Sequence, residues 1–230
     1  MNAAGLAIAG LAKLSTCDWP GRLVATVFLQ GCPWRCAYCQ NPGLIDCRQA
    51  GQVAWSEVVE LMGRRRGLLD GIVLSGGEPT RQLGLADAAR QVRAAGFGVG
   101  LHTAGPYPDR LEALLGLVDW VGLDIKALPE RYAAATGAAG AGAKAFDSLG
   151  RLVASGVDHE VRVTVDPLFH SEAHVRSLVA RLEAAGAKRV VLQEARGQGA
   201  RPRYAAALGS LRLSDVIAPA PAGVEVRRAA

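Results

Sequence analysis

The stretch QGCPWRCAYCQNPGLIDC, residues 30–47, holds four of the chain's five cysteines. It directly follows LVATVFLQ (residues 23–30), a run of apolar and β-branched residues that reads as a core strand. In parallel α/β folds the chemistry gathers where the C-terminal ends of the strands open into loops, so a cysteine loop at this place points to function. Cys32, Cys36 and Cys39 stand at C-x3-C-x2-C spacing. Three thiolates on one compact loop can hold three irons of a cubane cluster and leave the fourth open, whereas a closed zinc or ordinary ferredoxin site takes four protein ligands. Cys47 is the competing fourth ligand, seven residues and an Asn-Pro-Gly turn beyond Cys39. A non-catalytic iron-sulfur or zinc-binding module is therefore the alternative of another class. Cys17 precedes the strand and reads as an ordinary thiol.

Working outward, five more strand-like runs follow: GIVLS (71–75), GFGVGLH (96–102), WVGLDIK (120–126), HEVRVTV (159–165) and RVVLQE (189–194). Between them the apolar spacing changes to that of amphipathic helices, as in Trp55, Val58, Val59, Met62 and in Leu85, Ala88, Ala89, Val92. The same period runs through Leu111, Leu114, Leu115, Val118, through Phe146, Leu149, Val153, and through Val175, Leu178, Val179, Leu182. Strands alternating with helices predict an α/β fold, a partial (β/α)6 barrel with a parallel sheet and helices outside. GAAGAGAKA (137–145) reads as a flexible loop entering the fourth helix. The expected organisation is one domain over residues 1–230, with a core at about 20–195 and an extension over 196–230 that carries one helix and a short VEVRR strand.

A net charge of +5 comes from scattered Lys and Arg, clustered only at Arg64 to Arg66 and at Arg227 and Arg228. That pattern reads as a solvated basic surface, because no nucleic-acid-binding motif accompanies it. The apolar start lacks the preceding basic residues of a secretory signal, no run reaches membrane-spanning length, and the odd, clustered cysteines do not form a disulfide framework. A cytoplasmic protein is expected.

CPWRCAYC, with the aromatic Tyr38, resembles the CxxxCxφC motif of radical S-adenosylmethionine enzymes, and SGGEP (75–79) follows the second strand where that superfamily places its GGE motif. More narrowly, GLAKLSTCDWPGRLVATVFLQGCPWRCAYCQNPGLID, GGEPT, LHTAG and WVGLDIKA are similar to the anaerobic ribonucleoside-triphosphate reductase activating proteins, over roughly residues 5–166. The resemblance implies a 4Fe-4S cluster on Cys32, Cys36 and Cys39, whose free iron takes S-adenosylmethionine. It implies reductive cleavage of that cofactor to a 5′-deoxyadenosyl radical and a glycyl radical left on the partner reductase. A flavodoxin- or ferredoxin-type electron donor is implied as well. Gly76, Gly77 and Glu78 are expected at the methionine end of the cofactor, Tyr38 near adenine, and Asp124, Lys126 and Arg162 as further cofactor contacts. Thr103 and Asp124 are the implied ligands of a monovalent cation, with His102 where relatives often carry Asp. A radical enzyme of the same fold acting on a small molecule or another protein is the nearer alternative. His159, His170 and His174 read as surface or capping residues without chemistry.

Overall fold

In the computed structural model, which describes residues 2–228, one sheet of eight strands runs in sequence order. Six strands lie where apolar runs predict them: β2 (Val24–Leu29), β3 (Gly71–Gly76), β4 (Gly98–Thr103), β5 (Trp120–Asp124), β6 (Asp158–Val165) and β7 (Val190–Glu194), all parallel. Two strands extend the sheet at its edges. β1 (Ile8–Ser15) pairs antiparallel with β2, and β8 (Glu225–Arg227) pairs parallel with β7. The sheet does not close, so the barrel is partial. Among the described residues, no helix is long and apolar enough to cross a membrane.

The helices α1 (Trp55–Arg64), α2 (Leu85–Ala94), α3 (Pro108–Leu115), α5 (Ala141–Ser155) and α6 (Glu172–Ala184) connect the strands, with a short α4 (Tyr132–Thr136) before α5. Two more, α7 (Pro202–Leu208) and α8 (Leu213–Val216), lead into β8. The stripe on α1 is Trp55, Val58, Leu61 and Met62; Val59 is exposed, because the helix turns it past the edge of the buried face. The glycine-rich 137–145 segment is only partly a loop. Gly137 and Gly140 take left-handed φ of 70° and 68°, and α5 starts at Ala141. Its small residues serve contact: a Cβ on Gly142 would meet Pro129 O at 2.6 Å.

Side chains alternate across each strand. Val27, Leu29, Ile72, Leu74, Val99, Leu101, Val121, Leu123, Val161 and Val163 share one core with the buried helix stripes. The opposite, concave face follows from register: Thr26 opposite Val73, Val73 opposite Gly100, Gly100 opposite Trp120, Gly122 opposite Glu160, and Asp124 opposite Arg162. Trp19, from the Asp-Trp-Pro-Gly turn before β2, stacks on Trp120 with centroids 5.8 Å apart. It fills the space left by glycines, since a Cβ on Gly71 or Gly100 would meet its ring at 3.0 Å. Asp18, beside it, accepts a 2.6 Å hydrogen bond from Thr26 Oγ1.

Higher on this face the residues are charged. Fully buried Glu160 takes a bidentate pair from Arg227 on β8, both bonds 2.7 Å. Arg227 Nε also bonds Glu225, which pairs with Arg189 at 2.7 Å. His159, expected at the surface, is buried, its Nδ1 donating to Val157 O. Because Glu160 is fully buried, Arg227→Met leaves its charge with only the longer contacts to Arg162 (3.9 Å) and Arg189 (3.8 Å), and is expected to cost about 3 kcal/mol in urea denaturation. The double variant Glu160→Gln/Arg227→Met should recover most of that loss, since it strands no charge.

Candidate functional site

The cysteine loop leaves β2 at Gln30, whose buried amide donates to Gly43 O at 3.1 Å and Asp46 O at 3.0 Å. The Asn41-Pro42-Gly43 turn brings the chain back so that Gly31 N–H donates to Leu44 O and Cys32 N–H to Ile45 O. Midway, Trp34 packs edge-on against Tyr132 of α4 at 5.5 Å, and Arg35 N–H donates to Thr136 O. Cys36 is buried, and Cys32 and Cys39 are half-buried. Cys47 is exposed, its thiol engaged with the carbonyls of Cys32 and Ile45. Cys17 is exposed beside Ser15.

The Gly76-Gly77-Glu78 loop is clasped against this one. Gly77 N–H donates to Leu29 O at 2.8 Å and Glu78 N–H to Gly31 O at 2.9 Å, continuing the β2–β3 ladder past the strands. Both glycines are required by the closeness. Gly76 has φ of 115° and its Cβ would meet Leu29 N at 2.2 Å, while a Cβ on Gly77 would meet Gly31 O at 2.6 Å. These amides are spent inside the protein, and a cationic amine, itself a donor, would contact carbonyl oxygens. The Glu78 carboxylate is buried and also committed: Oε1 accepts from Thr80 and from Thr103 Oγ1 (2.7 Å), and Oε2 from Ala104 N–H at 3.0 Å. Burial pushes its carboxyl above the usual range against these donors. Thr103 in turn accepts from Gly105 N–H.

Asp124, Lys126 and Arg162 converge. Lys126 Nζ lies 3.1 Å from Asp124 Oδ2, and Arg162 Nε 3.1 Å from Oδ1. Burial opposes charge on Asp124, but Lys126 and Arg162 outweigh it and hold the carboxyl below its usual range. Burial likewise works against the Lys126 ammonium, and Asp124 more than restores it. The expected cation ligands thus have other partners: Thr103 holds Glu78, and Asp124 holds two cations. Arg162 crosses Gly122, where a Cβ would meet its Nη2 at 2.1 Å, and donates to Gly122 O. His102 is held between Ser75 Oγ and the Asp18 carbonyl, and burial with the nearby Arg162 pulls its pKa down to about 3, so the ring is neutral. The Tyr38 ring lies 5.7 Å from Lys126 Nζ.

Sequence reasoning missed the supports of Lys126. His170 is buried, not a surface residue: Nδ1 accepts from Asp166 N–H and Nε2 donates to Lys126 O. The Tyr132 hydroxyl accepts from Lys126 N–H. His174 is the residue whose N–H the α6 cap Ser171 holds, and its Nε2 lies 2.7 Å from Arg131. Arg201, beyond β7, donates to Cys36 O at 3.3 Å. A readable signal existed for Glu160, which shares the period-2 polar face Glu160, Arg162, Thr164 in an otherwise apolar strand.

The Radical SAM superfamily model matches residues 26–182, and the chain belongs to that superfamily. It is also related to glycyl-radical enzyme activases. It is 35% identical over 129 residues to a glycyl-radical enzyme activating enzyme of Methanocaldococcus jannaschii, covering 54% of this chain and 52% of the relative. With the pyruvate formate-lyase-activating enzyme of Clostridium pasteurianum it shares 30% identity over 179 residues, 74% of each chain. The match thus spans about half the length of the first relative. Among solved structures, Streptococcus suis SuiB bound to S-adenosylmethionine aligns with a TM-score of 0.60 at 13% identity, over 87% of this chain and 48% of that one. At that identity the likeness is one of fold.

The superfamily implies a 4Fe-4S cluster and S-adenosylmethionine, and the residues present suit both. Three thiols come from one loop, and burial raises two of them, Cys32 to about 12. They stay protonated until a metal takes the proton's place. Of the four buried side-chain polar atoms that lack a hydrogen-bond partner among the described residues, two lie here, the Tyr38 hydroxyl and Arg162 Nε, the latter paired with Asp124 by charge alone. Gly77→Ala drives a Cβ into backbone that cannot retreat, and should cost about 2 kcal/mol in thermal or urea denaturation and lower the iron content of the reconstituted protein.

Proposed function

We propose that this chain is the activase of an anaerobic ribonucleoside-triphosphate reductase, generating a glycyl radical on that partner. The observation that carries the reading is the junction of two loops: the three-cysteine loop after β2, clasped by the Gly76-Gly77-Glu78 loop after β3, beside Lys126, Asp124 and Arg162. Support for the partner comes from the resemblance of residues 5–166, from the Asp18-Trp19-Pro20-Gly21 turn to the Trp120–Ala127 stretch, and from relatives named as glycyl-radical enzyme activating enzymes.

A bound cluster with S-adenosylmethionine would supply the one-electron reducing and hydrogen-abstracting chemistry that a glycyl radical requires. The protein's own residues bind and orient. Cys32, Cys36 and Cys39 hold the cluster, and Lys126 is a cation for the cofactor carboxylate, its place set through Tyr132 and His170. Arg162 and Lys126 share Asp124, which keeps either cation from swinging into solvent. Tyr38, buried beside Lys126, supplies an apolar face for adenine and excludes water.

Anaerobically reconstituted protein, mixed with reductant, S-adenosylmethionine and the reductase of the same organism, should give a glycyl doublet in electron paramagnetic resonance that Cys36→Ala abolishes. A cluster signal perturbed by S-adenosylmethionine without any doublet would overturn the partner and keep the cofactor chemistry. Lys126→Met should weaken S-adenosylmethionine binding about tenfold, the scale of one lost charged hydrogen bond, read by calorimetry on the loaded protein.

A further inference from the structure

A cavity of about 590 Å³ opens beside the loops that follow β3 and β4. Arg81, Gln82, Tyr107 and Arg110 line its polar side, and Leu6 and Leu83 its apolar side. It is set apart from the cysteine loop by Arg81, which donates to Cys47 O at 3.0 Å and lies over Gly31 so closely that a Cβ there would meet Nη1 at 3.0 Å.

Neither arginine has a carboxylate partner among the described residues. The acidic residues nearest in sequence are turned elsewhere: Asp109 and Glu112 both pair with Arg151, Glu78 accepts from Thr80, Thr103 and Ala104, and Asp87 accepts from Ala3 N–H and Gln91. Arg110 is nonetheless held in place. Its guanidinium stacks 4.6 Å over the Tyr107 ring, and Nη1 donates to Arg81 O at 2.6 Å and to Thr80 O at 3.4 Å. That use of Nη1 leaves the Nε–Nη2 edge without a partner among the described residues, and this edge is the planar fork that receives a carboxylate or phosphate bidentately. A preoriented fork, a second guanidinium beside it and no acidic residue in the lining make a receptor for negative charge. Leu83, 51% exposed at the rim, offers apolar contact to whatever carries the charge.

We propose that this cavity is an oxyanion site, with Arg110 as its bidentate receptor and Arg81 as the supporting cation. The anion is either a free phosphoryl compound or the acidic side chain of a docked protein, and the chemistry that recognises both is the same. The site is independent of the identity of the partner enzyme.

The test is calorimetric titration of the full chain with inorganic phosphate and, separately, with the dipeptide N-acetyl-Leu-Glu-amide. At least one probe should saturate at one per chain, and Arg110→Gln should weaken it at least tenfold. Preference for phosphate assigns a free phosphoryl compound; preference for the dipeptide assigns an acidic segment of a docked protein. Arg110→Lys keeps the charge but not the fork, so it serves where the Gln variant fails to fold, and it too should bind more weakly. The proposal is overturned if neither probe saturates with the wild-type chain, or if folded variants at Arg110 bind as the wild type does.

Discussion

The mouth of the sheet depends on β2 and β3 staying hydrogen-bonded beyond their last paired residues. Two amides, of Gly77 and Glu78, reach the carbonyls of Leu29 and Gly31, and through them the loop after β3 becomes the wall of the loop after β2. Ordinary side chains forbid this approach, which is why two glycines stand in succession. Glu78 then carries the connection one strand further, to Thr103 and Ala104. Three strand ends are thereby set relative to one another by two amides and one buried carboxylate, and the donors that reach both of its oxygens are what make that burial tolerable.

The concave face works by a different rule from a closed barrel, whose interior is filled by bulky branched side chains. Here Val73 and the Trp19–Trp120 stack occupy the lower part, and above them charges of opposite sign are laid side by side. Lys126, Asp124, Arg162, Glu160 and Arg227 each lie within 4 Å of the next, at 3.1, 3.1, 3.9 and 2.7 Å. In a shielded interior such neighbours strongly bias one another's protonation. The result is a lysine kept cationic and a histidine, His102, kept neutral within one small space.

Much of this was legible before the structure. Apolar runs alternating with helical spacing gave away β2 to β7, and sulfur density at the end of a strand marked the site. What escaped was set by partners distant in sequence. β1 has no clean alternation, because Gly10 and two register shifts adapt it to β2, and an edge strand takes its meaning from its neighbour. GFGVGLH read as a strand, but the reason for Gly98 and Gly100 within it appears only where the Trp19 ring occupies the space beside them. His159 and His170 read as surface or capping residues because polarity was taken for exposure, whereas the carbonyls of Val157 and Lys126 each hold one ring nitrogen inside. The free edge of Arg110 was invisible, since only the fold shows that Asp109 faces Arg151 instead.

The Glu160–Arg227 pair spans 67 residues of sequence. On the ribosome the carboxylate therefore emerges well before its bidentate partner, with only the looser contacts to Arg162 and Arg189 to hold its charge in the meantime. The parallel strands must wait for β7 and β8 before the concave face can shed its water. The loop that carries the three cysteines is thus made well before Arg227, the last of the charges that close the concave face.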